Sequence, residues 1–401
     1  MKSVTMRTQV AIIGAGPAGL LLGKALSNSG ISSIIVEARD RDYVESRMRA
    51  GLLEPSTVDF MTDLGVGKRL HEEGVFHEST KFRFDRATHE LDIYGLTGKR
   101  TTRYPQQEVV KDLIAARLED GDTIVFDAQD VALAGLTSDS PSISFRAPDE
   151  ADPDRLVPHT IEADFIAGAD GFHGPTRRAM STAVRSYDFE YSFGWLGILA
   201  SAPPSDHTGV YAYSPRGFAL ISARGPQLSR HYVQVDVSDS LDEWPDERIW
   251  DELEARVATD EPWQLNRGEI LQKAVAPLRY FAAEPMRQGR AFLLGDSAHV
   301  VPPTGAKGLN LAAADAKSLG EAFARYYSHG DEDLLSGYSR VALQRAWQRI
   351  DFSIEMTDLL HVMPDADPVR RDRLASARLE RLVGSRAAQQ SLMEGYVGLF
   401  G

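Results

Sequence analysis

The sequence predicts an α/β fold with a β-rich segment inserted between its two halves and helices at its carboxyl end. Three observations carry this. The apolar run Thr8–Ile13 meets a glycine turn, a segment of helical period and a second apolar run, Ser32–Val36. Buried-type apolar strands return far downstream, at Phe165–Gly171 and Ala291–Leu294. Between them, residues 189–237 contain FGWLGILA, GFALISAR and RHYVQVDV, which read as strands without intervening helices. Distant segments therefore complete one sheet, and a second sheet lies between them in the chain.

Strand, turn, helix and strand at the amino end form a βαβ unit, with Pro17–Asn28 as the helix. Its strands are parallel and its connection right-handed. Residues 40–75 read as helix and loop. Residues 80–104 alternate and are rich in Arg, Phe, Tyr and Thr, which suits exposed strands. Val109–Leu118 reads as a helix. Residues 137–160, polar and rich in Pro, Asp and Ser, read as hairpin tips or loop. The helical period takes over in Leu309–Tyr327, Leu334–His361 and the tail after Asp365. The expected division gives residues 1–75, 106–184 and 270–350 to a discontinuous nucleotide-binding domain. Residues 76–105 and 185–269 form a β-sheet domain, and residues 351–401 a helical carboxyl region.

Composition narrows the function. The 401 residues carry a net charge of −14, which disfavours nucleic-acid partners because phosphate affinity needs a basic face. There is no cysteine, so disulfides, thiolate nucleophiles and Cys-ligated zinc or iron–sulfur clusters are excluded. No apolar run reaches the length of a membrane span, and no HExxH-like cluster suggests a metal. Lys2 and Arg7 before Val10–Leu22 mimic a secretory signal, but that stretch holds three glycines and a proline with their own mechanical meaning. A cytoplasmic protein is expected.

Gly14-x-Gly16-x-x-Gly19 sits where the first strand turns into the first helix. Gly14 permits the tight turn, Gly16 lets the backbone approach a pyrophosphate, and Gly19 allows close helix–strand packing. The helix N-terminus offers free N–H groups and partial positive charge to phosphates. Glu37 ends the second strand, placed to accept hydrogen bonds from a ribose. This fingerprint does not separate FAD from NAD. A second clamp does so: Gly295-Asp296 closes a buried strand, and Asp296 suits another sugar hydroxyl. The stretch VPPTGAKGLNL, Val301–Leu311, opens a helix whose Gly305, Gly308, Leu309 and Asn310 would present N–H groups to a heterocycle or phosphate. An enzyme binding only NAD has no evident use for it.

Phe218–Arg224 and Arg230–Val237 can pair as a hairpin across Gly225–Ser229. If Arg224 opposes Arg230 and Ser222 opposes Tyr232, all four share one face. Two facing arginines repel unless an anion lies near. A carboxylate answers that need, with Arg224 as bidentate partner and Ser222 and Tyr232 adding hydroxyls. A solvated β surface stands equally beside this reading on spacing alone.

GAGPAGL, RMRAGLLE (Arg47–Glu54), AGADGFHG (Ala167–Gly174) and GDSAHVVPPTGAKGLNLA together resemble the single-component flavin-dependent aromatic hydroxylases. PRGFALIS, SRHYVQV and the terminal YVGL point within them to the branch acting on 4-hydroxybenzoate. The likeness runs from about Thr8 to Leu399. It implies a Rossmann-like FAD-binding domain, a β-sheet substrate domain and a helical end. The implied reaction is hydroxylation of 4-hydroxybenzoate to 3,4-dihydroxybenzoate with NADH or NADPH and O₂, through a flavin C4a-hydroperoxide. Ser222, Arg224 and Tyr232 match the family's carboxylate ligands. Tyr211 and Tyr396 match its phenol-deprotonating pair, and His77 the solvent-facing end of that proton relay. Pro303 matches a carbonyl that contacts the phenol. Asn310 matches a residue that steadies the helix beside the flavin, Arg49 and Gln106 match flavin contacts, and Arg230 a residue tied to flavin movement. Arg39, Tyr43, Arg47, His173 and Arg279 match nicotinamide-cofactor positions. Ala38 stands where NADPH users commonly carry a basic residue, so activity with NADH is expected. Family members often form homodimers.

The halogenase signature Trp-x-Trp-x-Ile is missing, Phe193-Gly194-Trp195-Leu196-Gly197 being the nearest candidate. The alternatives are a related hydroxylase acting on another phenolic or amino-substituted benzoate, a flavin-free NAD-dependent dehydrogenase, and a nucleotide-binding regulator without turnover.

Overall fold

The computed structural model describes residues 4–49, 51–149, 151–180, 182–365 and 367–399. At the centre of the first sheet, Val4–Ile13 runs parallel to Ser33–Val36 on one side and to Asp152–Gly168 on the other. Thr123–Val125 and Ala291–Leu293 extend the parallel order outward. Val10, Ile12, Phe165 and Ile166 are buried, as continuous apolar runs in a sheet covered on both faces should be.

Residues 137–160, expected as hairpin tips or loop, are largely the paired strands of one hairpin. Ser142–Asp149 pairs antiparallel with Asp152–Gly168. A period of two is present: Ile143, Phe145 and Ala147 are buried while their neighbours are not. The prolines hide it without breaking it: among the described residues Pro158 pairs on one side only, with Arg146.

Among the described residues the second sheet has eight strands and is mainly antiparallel. Its long members are Arg185–Ser201, Leu228–Asp236 and Glu269–Glu284. The last of these was expected in the nucleotide-binding domain, but it pairs along Arg185–Ser201. Ser79–Phe84 joins this sheet parallel to Val210–Ala212. The strands of 80–104 are not the exposed ones expected, since Phe82 and Phe84 are buried. A small separate sheet links Leu52–Leu53, Thr101–Arg103 and Val75–His77.

Asp333–Leu360 is one unbroken 28-residue helix, so no break occurs at the expected boundary of 351. Its first half buries Tyr338, Ala342 and Ala346 in the core of the first sheet. Its second half buries Phe352, Met356 and Leu360 in the aromatic core of the second. The helix thus fastens the two layers, and the site lies between them. Among the described residues, no helix is long and apolar enough to cross a membrane.

Candidate active site

The glycine turn is built as its spacing requires. Gly14 has φ +106°, and a Cβ there would overlap the Ala169 carbonyl. A Cβ on Gly19 would overlap the Gly14 carbonyl oxygen. Gly16, the N-cap of Pro17–Asn28, is different: nothing lies within 4 Å of where its Cβ would stand. That open cradle at a helix N-terminus is the shape a pyrophosphate needs. Glu37 locks it from the second strand. One carboxylate oxygen accepts the Ala15 N–H at 2.7 Å and the other the Arg39 N–H at 2.9 Å. Each oxygen keeps a lone pair for a ribose hydroxyl.

Asp296 lies in the short turn after Ala291–Leu293, 3.5 Å from the Arg49 guanidinium. Two expected flavin contacts, remote in sequence, therefore meet. The turn is held from beneath: Asp315, fully buried, accepts the Gly295 N–H at 3.1 Å and hydrogen bonds with His299 and Arg345. Burial alone would raise the Asp315 pKa, but His299, Arg345 and that N–H hold it below the ordinary carboxylate value.

The 22-residue helix Gly308–His329 begins at the expected place. Gly308, like Gly16, has open space at its Cβ position. Gly305 serves packing, because a Cβ would press on Ser353 and Phe352 at 2.9 and 3.1 Å. Asn310 makes four hydrogen bonds. It accepts from Glu54 N and Thr57 Oγ1, each at 2.8 Å. It donates to Leu52 O and Ala306 O at 2.9 and 3.1 Å. The helix start is thereby tied to the Arg47–Glu54 segment. Pro303 is exposed, and its carbonyl accepts the Ala306 N–H at 3.0 Å, leaving one lone pair. Gln106 opens the helix Gln106–Glu119, and its neighbour Gln107 faces the cleft described next.

The hairpin register differs from the expected one by two. Ser222 opposes Arg230, and Leu220 opposes Tyr232. Gly225 pairs with Leu228, so the turn holds only Pro226 and Gln227, and Arg224 falls at an irregularity beside it. A shift of two keeps side-chain parity. Ser222, Arg224, Arg230 and Tyr232 therefore still share the half-buried face, while Ile221, His231 and Val233 fill the core behind. The Ser222 hydroxyl donates to the Arg230 carbonyl at 3.0 Å, so it meets a ligand as an acceptor unless it rotates.

Arg224, Arg230 and Tyr232 line one cleft with Met48, Arg49, Pro105, Gln107, Leu199 and Leu228. Neither Arg224 nor Arg230 has a carboxylate partner among the described residues, and the buried Arg230 Nε has no hydrogen bond. Arg103 stands close behind, its guanidinium 3.5 Å from the Ala223 carbonyl. Burial and then Arg224 push the Arg103 pKa down.

Tyr211, buried on Val210–Ala212, lies with its hydroxyl 3.4 Å from that of Tyr396, which ends the helix Arg386–Tyr396. Burial raises both phenol pKa values, so each stays protonated at neutral pH. Arg224 and Tyr232 are near enough to bias Tyr211 electrostatically. His77 is half-buried: its Nε2 is covered and has no hydrogen-bond partner among the described residues, and burial followed by Arg103 pushes its pKa down to about 4.

The residues expected to meet the nicotinamide cofactor fall in two clusters. Arg39 and Arg47 both lie over the exposed Tyr43 ring, at 5.3 and 5.8 Å. Arg279 lies over Phe172 at 4.5 Å, Phe172 meets His173 edge to face, and Glu190 pairs with Arg279.

Sequence reasoning overlooked a cluster of buried charges. Lys307, 1% exposed, donates to Glu54 at 2.7 Å and to the Tyr396 carbonyl at 2.6 Å. Arg349 lies 3.5 Å from Glu54 and donates to the Gly398 carbonyl at 3.0 Å. A lysine inside an apolar glycine stretch was the available signal. Asp170, likewise passed over, accepts the Thr176 N–H at 2.7 Å, and burial raises its pKa.

Known proteins agree with this geometry. Residues 7–353 match the FAD binding domain family. The chain is 42% identical to p-hydroxybenzoate hydroxylase of Acinetobacter baylyi, over 98% of this chain and 96% of that protein. It is 26% identical to 3-(3-hydroxy-phenyl)propionate/3-hydroxycinnamic acid hydroxylase of Mycobacterium avium, over 86% of this chain and 60% of that one. The crystal structure of p-nitrophenol 4-monooxygenase from Pseudomonas putida superposes with a TM-score of 0.79, covering 98% of this chain and 99% of that one. At 18% identity it speaks for the fold alone. The open cradles at Gly16 and Gly308, the Glu37 carboxylate and the Asp296 turn fit FAD, and the chain belongs to the FAD-dependent aromatic monooxygenases.

Proposed function

We propose that this enzyme hydroxylates 4-hydroxybenzoate to 3,4-dihydroxybenzoate. The observation that carries the reading is the half-buried hairpin face, where Arg224 and Arg230 lack carboxylate partners beside Tyr232, close to a buried tyrosine pair. The relative from Acinetobacter baylyi supports the choice of acid.

Arg224 holds the substrate carboxylate, with Tyr232 donating a hydroxyl and Ser222 turning its own toward it. This orients the ring with its phenol toward Tyr211. A phenol has a pKa near 10, so a site must supply about 3 units, roughly 4 kcal/mol, to ionise it at neutral pH. Tyr211 and Tyr396 lead the proton away toward His77, and the Lys307 ammonium behind Tyr396 favours the anion left behind. Burial lowers the Lys307 pKa, with Glu54 acting to keep it charged. Gly16, Glu37, Asp296 and Gly308 would hold FAD, which would supply the activation of O₂ with reducing equivalents from NADH or NADPH. Met48, Pro105 and Leu199 give the cleft apolar lining, and exclusion of water there would direct reducing equivalents to product rather than peroxide. The Arg39–Tyr43–Arg47 and His173–Arg279 clusters receive the nicotinamide cofactor. A homodimer in the cytoplasm, where NAD(P)H is supplied, completes the reading.

The test is a panel of 4-hydroxybenzoate, 3-hydroxybenzoate and 4-aminobenzoate, scored for NAD(P)H consumed, hydroxylated product and H₂O₂. 4-Hydroxybenzoate should give product for most of the NAD(P)H oxidised. Peroxide as its sole outcome, with good coupling for another acid, would replace it as the substrate.

A further inference from the structure

The turn that ends helix Arg386–Tyr396 is held by cations from two other segments. Carbonyls at a helix C-terminus have no partner inside the helix, and cations suit that end. Lys307 Nζ reaches the Tyr396 carbonyl at 2.6 Å. Arg349, from the long helix Asp333–Leu360, reaches the Gly398 carbonyl at 3.0 Å. Gly398 has φ +82°, and a Cβ there would overlap the Glu54 carboxylate. The chain therefore passes directly over the acid that both cations share, with Glu54 2.7 Å from Lys307 and 3.5 Å from Arg349.

Neutralisation does not explain Arg349. Glu54 already has Lys307 as its counter-ion, at the shorter distance, and with Arg349 two buried cations face one carboxylate. Arg349 also acts on Lys307 in the unfavourable direction, lowering the pKa that Glu54 raises. An apolar side chain often packs in such a place at no loss of stability, so a buried charge of this kind is weak evidence for a purely structural role. What Arg349 adds is the bond to Gly398, two residues past Tyr396.

We infer that Arg349 is a positioning residue for the hydroxylation, mooring the terminal turn so that the Tyr396 hydroxyl stays within reach of Tyr211. The two hydroxyls are 3.4 Å apart, near the outer limit of a hydrogen bond. Slack of about a few tenths of an ångström in the turn is enough to break that contact. Arg349 acts through Tyr396 and not on the substrate. The charges behind Tyr396 are Lys307, Glu54 and Arg349, and Arg224 acts on Tyr211 from the hairpin. The inference rests on the phenol chemistry proposed above.

The test is a double-mutant cycle in the FAD-loaded enzyme, with Arg349→Met, Tyr396→Phe and the two together. The absorbance of bound 4-hydroxybenzoate, followed from about pH 6 to about pH 10, gives the ratio of phenolate to phenol, and a titration at the acid end gives the Kd. Arg349→Met should keep that Kd within about twofold yet cut the phenolate ratio at least about fivefold. In the Tyr396→Phe enzyme the same change should alter the ratio by less than about twofold, because the group that Arg349 positions is gone. An unchanged ratio in Arg349→Met would overturn the role. So would an equal fall in both backgrounds, which is the mark of charge acting through space. Should Arg349→Met fail to fold, Arg349→Lys, which keeps the cation and loses the planar fork, enters the same cycle under the same criteria. If wild-type enzyme binds the acid without forming phenolate, the substrate reading itself fails, and the inference with it.

Discussion

At the glycine turn both Glu37 oxygens are already engaged by backbone N–H groups, whereas on the hairpin face Arg224 and Arg230 point at a cleft with no anion of their own. The first region is complete before any ligand arrives. Its selectivity comes from the shape of the main chain and from space left free at Gly16. The second is held in unsatisfied charge, and becomes whole only with a carboxylate in place. A cofactor that stays bound suits the first construction. A substrate that must enter, ionise and leave as product suits the second.

The largest effect should come from filling the free space. Gly16→Ala adds a Cβ where the protein has nothing, so the apoprotein should melt at the wild-type temperature. FAD affinity should nevertheless fall at least about a hundredfold, roughly 2.7 kcal/mol. Retained affinity would mean that the cradle is not the pyrophosphate site. On the charged side, Arg224→Lys replaces a planar fork with a point charge, and 4-hydroxybenzoate should bind at least about tenfold more weakly, ~1.4 kcal/mol. An unchanged Kd would show that the hairpin face does not hold the carboxylate.

A coenzyme comparison probes the exposed cluster. Ala38 offers no cation, so kcat/KM for NADH should match or exceed that for NADPH. A hundredfold NADPH preference, about 2.7 kcal/mol, would show Arg39 or a neighbour gripping the 2′-phosphate.

The smallest effect concerns the joint between the regions. Trp195 donates to His361 Nε2 at 2.7 Å while His361 Nδ1 donates to Thr357 O at 2.9 Å, so a proton on Nε2 would break the first bond. Burial pushes the His361 pKa down to about 3. A depressed histidine lets the unfolded chain bind the proton first. Its contribution is full above about pH 6.5 and is lost progressively as pH falls toward 3. His361→Gln should therefore lose less stability than wild type between pH 7 and pH 5, by chemical denaturation. Parallel losses would dismiss this account of the joint.

The glycine turn was legible because its demands are local: positive φ at Gly14 and missing Cβ atoms at Gly16 and Gly19 admit few other residues. The hairpin was half legible. Alternation marked the correct face, but turn length sets register, and a two-residue turn at Pro226-Gln227 cannot be told from a longer loop by composition. Strand Glu269–Glu284 escaped notice because much of its length is solvent-facing, which weakens any apolar period. The Lys307–Glu54–Arg349 cluster joins three remote segments, so nothing local announces it.

The most direct measurement is the crystal structure of the enzyme with FAD and 4-hydroxybenzoate. The account predicts the carboxylate in a bidentate contact with Arg224, Tyr232 in hydrogen-bond range, and the phenol oxygen against the Tyr211 hydroxyl. An acid bound elsewhere, or bound with its phenol toward the arginines, would contradict it.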